Sequence, residues 1–153
     1  MKKIFFTLVT VLMFSACNEN VDNNESTKEV EVVTGMDNKE TFKMIDMSIV
    51  ENLNDSISSR DMKIEEEIMH IYKPKSTETE GNYSYTISKN DIGNDSQEVI
   101  LIEDGLMDDA LAAEKTIMII RKENSKLKVI SIKENYKCRK GRGHQNWSAE
   151  LCN

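Results

Sequence analysis

Hydrophobic positions along the chain change period twice, and the changes divide it into three zones. In "ETFKMIDMSIVENLNDSIS" (40–58), Phe42, Ile45, Ile49, Val50, Leu53 and Ile57 recur at three- and four-residue steps, the stripe of an amphipathic helix. "SSRDMKIEEEIMHIYKP" (58–74) repeats the pattern with Ile64, Ile68, Ile71 and Tyr72. Ser59 is placed to cap this second helix, acids crowd its early turns, and Pro74 ends it. Its β-branched residues leave a strand as the other reading of that run.

From Tyr83 the period falls to two. "NYSYTIS" puts Tyr83, Tyr85 and Ile87 on one side, and "QEVILIED" is an apolar run of strand length. "AEKTIMIIRKE" and "KLKVISIKENYKC" follow, rich in Ile and Val, with "ENSK" as the hairpin turn between them. The expected fold is α+β: one or two N-terminal helices packed on an antiparallel meander of about four strands, with a C-terminal loop beyond it.

The first zone is different. Lys2 and Lys3 precede the apolar run Ile4–Phe14, which at the helical rise is too short for a bilayer core of about 30 Å. It reads as a signal peptide over residues 1–16. Ser15-Ala16-Cys17 resembles a bacterial lipobox, which implies that Cys17 is lipidated and begins the mature chain. Phe14 stands where such motifs usually carry an aliphatic residue. Residues 17–40, rich in Asn, Asp and Glu and without an aromatic, read as a solvated tether, with a short strand at Glu29–Val33 as an option. Residues 41–153 then form a single domain. Asn18, rather than Asp, after the cysteine points to the outer membrane. The expected location is the cell envelope, facing the periplasm or the exterior.

Loss of Lys2 and Lys3 leaves 18 basic residues against 27 Asp and Glu, so the formal charge moves from −7 to −9. That excess argues against nucleic acid or an anionic membrane surface as a partner; attachment would be through acyl chains. With Cys17 assigned to lipid, Cys138 and Cys152 remain as a disulfide pair in an oxidising compartment. Closing that loop is worth about 3 kcal/mol in the chain-entropy model.

Candidate chemistry is sparse. "EDGLMDD" (103–109) gathers four carboxylates but lacks the EF-hand spacing, so a turn is favoured over a calcium loop. His70 on the second helix and His144 in the tail lack zinc-finger spacing to the cysteines, and no metal or other cofactor is expected. Ser148 and His144 lie close in sequence without a nucleophile elbow, and no carboxylate pair stands out for glycoside hydrolysis. An enzyme is therefore the lesser reading. The remaining cluster is the tail, where Lys137, Arg139, Lys140 and Arg142 interrupt an acidic chain and Gly141 and Gly143 allow tight turns. Arg142 and His144, with Arg139 and Trp147, are the candidate ligand-binding residues, for an anion, a glycan or an envelope protein. The competing reading is internal: Arg142 pairs with an acid of the domain, and Trp147 packs over the disulfide.

At this tail the chain resembles a group of small uncharacterised bacterial secreted proteins and lipoproteins ending in C-x-x-G-R-G-H-x-x-(W/F)-S-x-x-x-C. The matching positions are Cys138, Gly141, Arg142, Gly143, His144, Trp147, Ser148 and Cys152. The acidic turn Asp104-Gly105 and Asp108-Asp109 before two long strands is similar too. Leu127 and Lys140 depart from the pattern. The resemblance covers roughly the last third of the chain and implies a disulfide and a strand-rich domain, with no activity attached. The functional expectation is a lipid-anchored envelope protein with a non-enzymatic accessory or binding domain.

Overall fold

The computed structural model describes residues 40–77 and 81–153. The signal segment, Cys17, the tether as far as residue 39 and the optional strand at Glu29–Val33 lie outside the described residues; Glu40, the last tether residue, is bound by Lys115. Five strands and two helices follow one another as β1 (Lys43–Met44), α1 (Met47–Arg60), α2 (Glu65–Tyr72), β2 (Ser84–Gly93), β3 (Ser96–Asp104), β4 (Leu111–Glu123) and β5 (Lys126–Cys138). The sheet is antiparallel throughout, in the order β1-β5-β4-β3-β2. The α+β class, the meander and the disulfide-closed C-terminus agree with expectation, and β1 is a fifth strand at the edge.

Phe42 and Ile45 fit the helical stripe by spacing but do not belong to it. Asp46 is the N-cap: its Oδ1 accepts from the Ser48 amide at 2.8 Å, starting α1 after them. The two residues between them, Lys43 and Met44, pair instead with Lys133 and Glu134, and Ile45 N–H extends the pairing to the Ile132 carbonyl. Ile49, also counted in the stripe, is 45% exposed; Val50, Leu53 and Ile57 form the buried face. α1 runs through Ser59 and ends at Asp61, whose φ of 50° is left-handed and whose amide bonds Ile57 and Ser58 carbonyls. Ser59 therefore caps nothing. α2 starts at Glu65 without a side-chain cap, and Glu65, Glu66 and Glu67 complement the positive end of its dipole.

The hairpin turns follow from residues that tolerate positive φ. Asn94-Asp95 joins β2 to β3 and Asn124-Ser125 joins β4 to β5, all four residues lying between 50° and 64°. A bulge leaves Ile130 unpaired, because Val129 faces Ile120 while Ser131 faces Ile119. One extra residue reverses the alternation, so Leu127 and Val129 share the helix-side face with Ile132, Glu134, Tyr136 and Cys138. Along β5's outer edge near the bulge, Asn54 of α1 acts as a substitute strand. Its Nδ2 donates to the Val129 carbonyl at 2.9 Å and its Oδ1 accepts from the Val129 amide at 2.8 Å.

The core lies between the helices and one sheet face. Val50, Leu53, Ile57, Ile68 and Met69 pack on Val99, Leu101, Met118, Ile120, Leu127, Val129 and Ile132. On the other face, Ile100, Ile102 and Ile119 remain half-buried. None of the described helices is long and apolar enough to cross a membrane.

Candidate functional site

The tail is built on the end of β5. Tyr136 and Ser148 exchange backbone hydrogen bonds of 2.8 and 3.1 Å, and the Cys138 amide donates to the His144 carbonyl at 2.9 Å. Cys138 and Cys152 form a disulfide with their Cα atoms 5.4 Å apart. Gly143 is required where it sits: at φ 139°, an added Cβ would lie 2.8 Å from Cys138 Sγ. Gln145, unremarked in the sequence, spans the turn by donating to the carbonyls of Cys138, Arg139 and Gly143.

The four candidate binding residues separate. Arg139 is exposed but bonded within the chain: its amide donates to the Ala110 carbonyl, and its guanidinium to the carbonyls of Asp108 and Leu106. It thereby clamps the loop between β3 and β4. Arg142 differs in its bonding rather than in its exposure. Its side chain is exposed and has neither an ion pair nor a hydrogen bond among the described residues, so the expected pairing with an acid is absent. His144 turns Nδ1 to the Asn146 carbonyl (2.8 Å) and Nε2 to the Glu150 carbonyl (2.9 Å). Trp147 lies beneath two ammonium groups, Lys115 Nζ at 4.5 Å and Lys137 Nζ at 4.6 Å from the ring centroid. Strand alternation sends Lys137 and Cys138 to opposite faces, so the indole covers the lysine face instead of the bridge.

The acidic "EDGLMDD" segment is a turn, as expected. Asp108 Oδ1 accepts from the amides of Ala110 and Leu111, and these bonds hold its carboxyl below the usual range. Asp104 accepts from the Gly105 amide, while Glu103 faces inward. His70 stacks on Tyr85 with centroids 5.2 Å apart, and His144 alone is grouped with the tail cysteines among the described residues.

A second constellation escaped the sequence reading. Glu103, Glu114 and Glu134 stand on β3, β4 and β5, on the helix-side face, with Glu103 directly opposite Glu114. Lys73, the residue that ends α2, reaches over them: its Nζ lies 2.6 Å from Glu114 and 3.2 Å from Glu134. All four tyrosines of the chain converge here. Tyr72 and Tyr136 each donate to Glu134, at 2.9 and 3.1 Å, and Tyr83 donates to Glu103 at 2.7 Å. Tyr85 donates to the Lys73 carbonyl at 2.7 Å. The signal was present in the alternation: Glu103 is in phase with Val99 and Leu101, and Glu134 with Ile132. A carboxylate in that phase is a core residue that must find donors.

Electrostatics follow from three neighbouring carboxylates and one ammonium that pairs with two of them. Burial raises the pKa of Glu114, and the charges of Glu134 and Glu103 add to that, against the downward pull of Lys73. Burial works against the Lys73 cation, but its pairing with Glu114 and Glu134 outweighs this, and its pKa rises. Burial followed by carboxylate charge pushes Tyr83 and Tyr85 up to about 12, and Tyr72 and Tyr136 rise as well. Glu134 is bonded by Lys73, Tyr72 and Tyr136. Among the described residues, Glu114 is bonded by Lys73 alone. Thr116, in the same face and opposite Glu134, has a buried hydroxyl without a partner among the described residues.

Comparison with protein-family models, with curated proteins and with solved structures finds no match to the chain.

Proposed function

We propose that this is a lipid-anchored bacterial envelope protein whose α+β domain binds an anionic envelope component rather than catalysing a reaction. The observation that carries the binding reading is the contrast within the tail. Both arginines are exposed, but Arg139 is bonded to loop carbonyls, whereas the Arg142 guanidinium has no partner among the described residues of an acidic chain. A planar guanidinium in that state suits carboxylate or phosphate groups, and exposed Lys140 adds charge beside it. The non-enzymatic part is supported by the backbone carbonyls that face both His144 nitrogens and by the three donors on Glu134. Anchoring rests on the sequence: the cationic head, the apolar run and Ser15-Ala16-Cys17. The outer membrane is its proposed site.

Calorimetric titration with acidic envelope polysaccharide and with inorganic phosphate tests the binding. Heat from the wild type that is lost in Arg142→Ala supports it; equal heats in both proteins, or none in either, remove it. Anchoring is tested separately by detergent partition and intact mass of wild type and Cys17→Ser. A wild-type chain that stays aqueous and carries no acyl mass refutes it.

A further inference from the structure

Cys138, His144 and Cys152 each place one ligand atom within 4.8 Å of the others. With the sulfurs joined, neither is available to a cation. We propose that, once the bridge is opened by a dithiol reductant, these three side chains form a site for a thiophilic d10 cation of the Zn2+ type, with its fourth position open. The proposal is independent of the anion-binding reading, because it uses none of the Arg142 chemistry.

The balance is simple. A dithiol transfers two electrons and two protons to the Cys138–Cys152 bond and leaves as a disulfide. The cation then displaces both thiol protons and is held by two thiolates and one imidazole nitrogen. Zinc sites with three protein ligands keep a coordination position for water or another ligand.

Three observations carry this beyond proximity. His144 has both ring nitrogens within 2.9 Å of carbonyl oxygens, yet a neutral imidazole has one N–H to donate. In the neutral ring one lone pair therefore faces an oxygen, and turning that nitrogen to a cation removes the conflict. The other nitrogen keeps its carbonyl, the arrangement that orients metal-bound histidines.

Second, the ligands are placed by bonds other than the bridge. The Tyr136–Ser148 pair, the Cys138 amide to His144, and the Asn153 amide to the Arg142 carbonyl hold both cysteines near the ring. The Ala149 amide also donates to Thr41 Oγ1 at 3.0 Å. Third, Cys138 is buried while His144 and Cys152 are partly exposed, which gives a cation a route in from solvent.

The test uses the full chain carrying Cys17→Ser, so that only the two tail cysteines remain. It is reduced by a phosphine, which stands in for the dithiol without chelating metal, and titrated anaerobically with Co2+. The expected result is thiolate-to-cobalt charge-transfer absorption that Zn2+ abolishes, absent from the oxidised chain. His144→Ala should weaken binding at least about tenfold while leaving the two thiolates in place. A reduced chain that loses its far-UV dichroism and regains it with Zn2+ supports the same site through coupled folding. The proposal is overturned by a reduced, folded chain without the charge-transfer band, or by unchanged affinity in His144→Ala. Equal binding by the oxidised chain, or an unfolded reduced chain that Zn2+ does not restore, also overturns it.

Discussion

Lys73→Met isolates the electrostatics of the carboxylate–tyrosine cluster, because methionine keeps much of the stem and removes the cation. Lys73 is 27% exposed, and its partners Glu114 and Glu134 are 13% and 7% exposed. Removing one partner of a fully buried pair costs about 3–5 kcal/mol; the solvent access of Lys73 reduces that to roughly 2–3 kcal/mol. For a domain of this size the melting temperature should fall by on the order of 10 °C. The loss should also depend on pH. Glu114 has a raised folded pKa, so its contribution is full below the unfolded value of 4.5 and is lost as pH rises through the folded one. Without Lys73, which pulls that pKa down, the loss extends further upward in pH. The gap between variant and wild type should therefore be widest near neutrality and close towards pH 4.5. It should close again in strong alkali, where the raised Lys73 pKa is finally passed and the wild type loses its own cation. Urea unfolding of both proteins across this range measures the gap at each pH. A gap of the same size at pH 4.5 and pH 7 would refute the coupling to Glu114 and assign the loss to the Glu134 pair and to packing.

Other features give sharp expectations. Asn54→Ala removes both bonds to Val129 and should cost about 2 kcal/mol in urea unfolding; a loss under about 0.5 kcal/mol would show that water replaces them. Gly143→Ala drives a Cβ into Cys138 Sγ, so intact mass after thiol alkylation should reveal a reduced fraction, with about 3 kcal/mol lost wherever the bridge fails. A fully oxidised variant of wild-type stability would contradict this. Ultraviolet titration should show no phenolate step near pH 10 in the folded protein, since Tyr83 and Tyr85 ionise at about 12 and Tyr72 and Tyr136 are raised too. Their contribution to stability is present below pH 10 and lost as pH rises through those values, so alkaline unfolding should accompany ionisation. A step near pH 10 with native dichroism would contradict it.

What the sequence reveals here depends on whether a signal is local. The Asn124-Ser125 turn, the alternating strands and the tail cysteines are legible because short-range geometry dictates them. The start of α1 is not, since Phe42 and Ile45 match helical spacing by coincidence and the decision belongs to the Asp46 cap. Ile130 hides the phase of β5, because a bulge cannot be counted without its partner strand. Alternation alone puts Glu103 and Glu134 in the core phase, but only register groups them with Glu114, and only the fold brings Lys73 to Glu114 and Glu134. In the tail, composition identifies the right residues but cannot divide their tasks. Arg139 and Arg142 differ by which carbonyls lie within reach, and those carbonyls come from a loop some thirty positions away.

The meeting of Thr41 with the tail has a mechanical consequence. Tension on the chain upstream of Glu40 reaches the domain first through Glu40, held by Lys115, and Thr41, bonded to the Ala149 amide. Ala149 lies inside the covalent ring closed by Cys138 and Cys152, and that ring is continuous with β5, a strand flanked by β1 and β4. Besides the main chain into β1, load crossing the Thr41 contact divides between two covalent routes before it reaches β5. Reduction of the bridge removes one route, so the domain should yield at lower force when its tail is open.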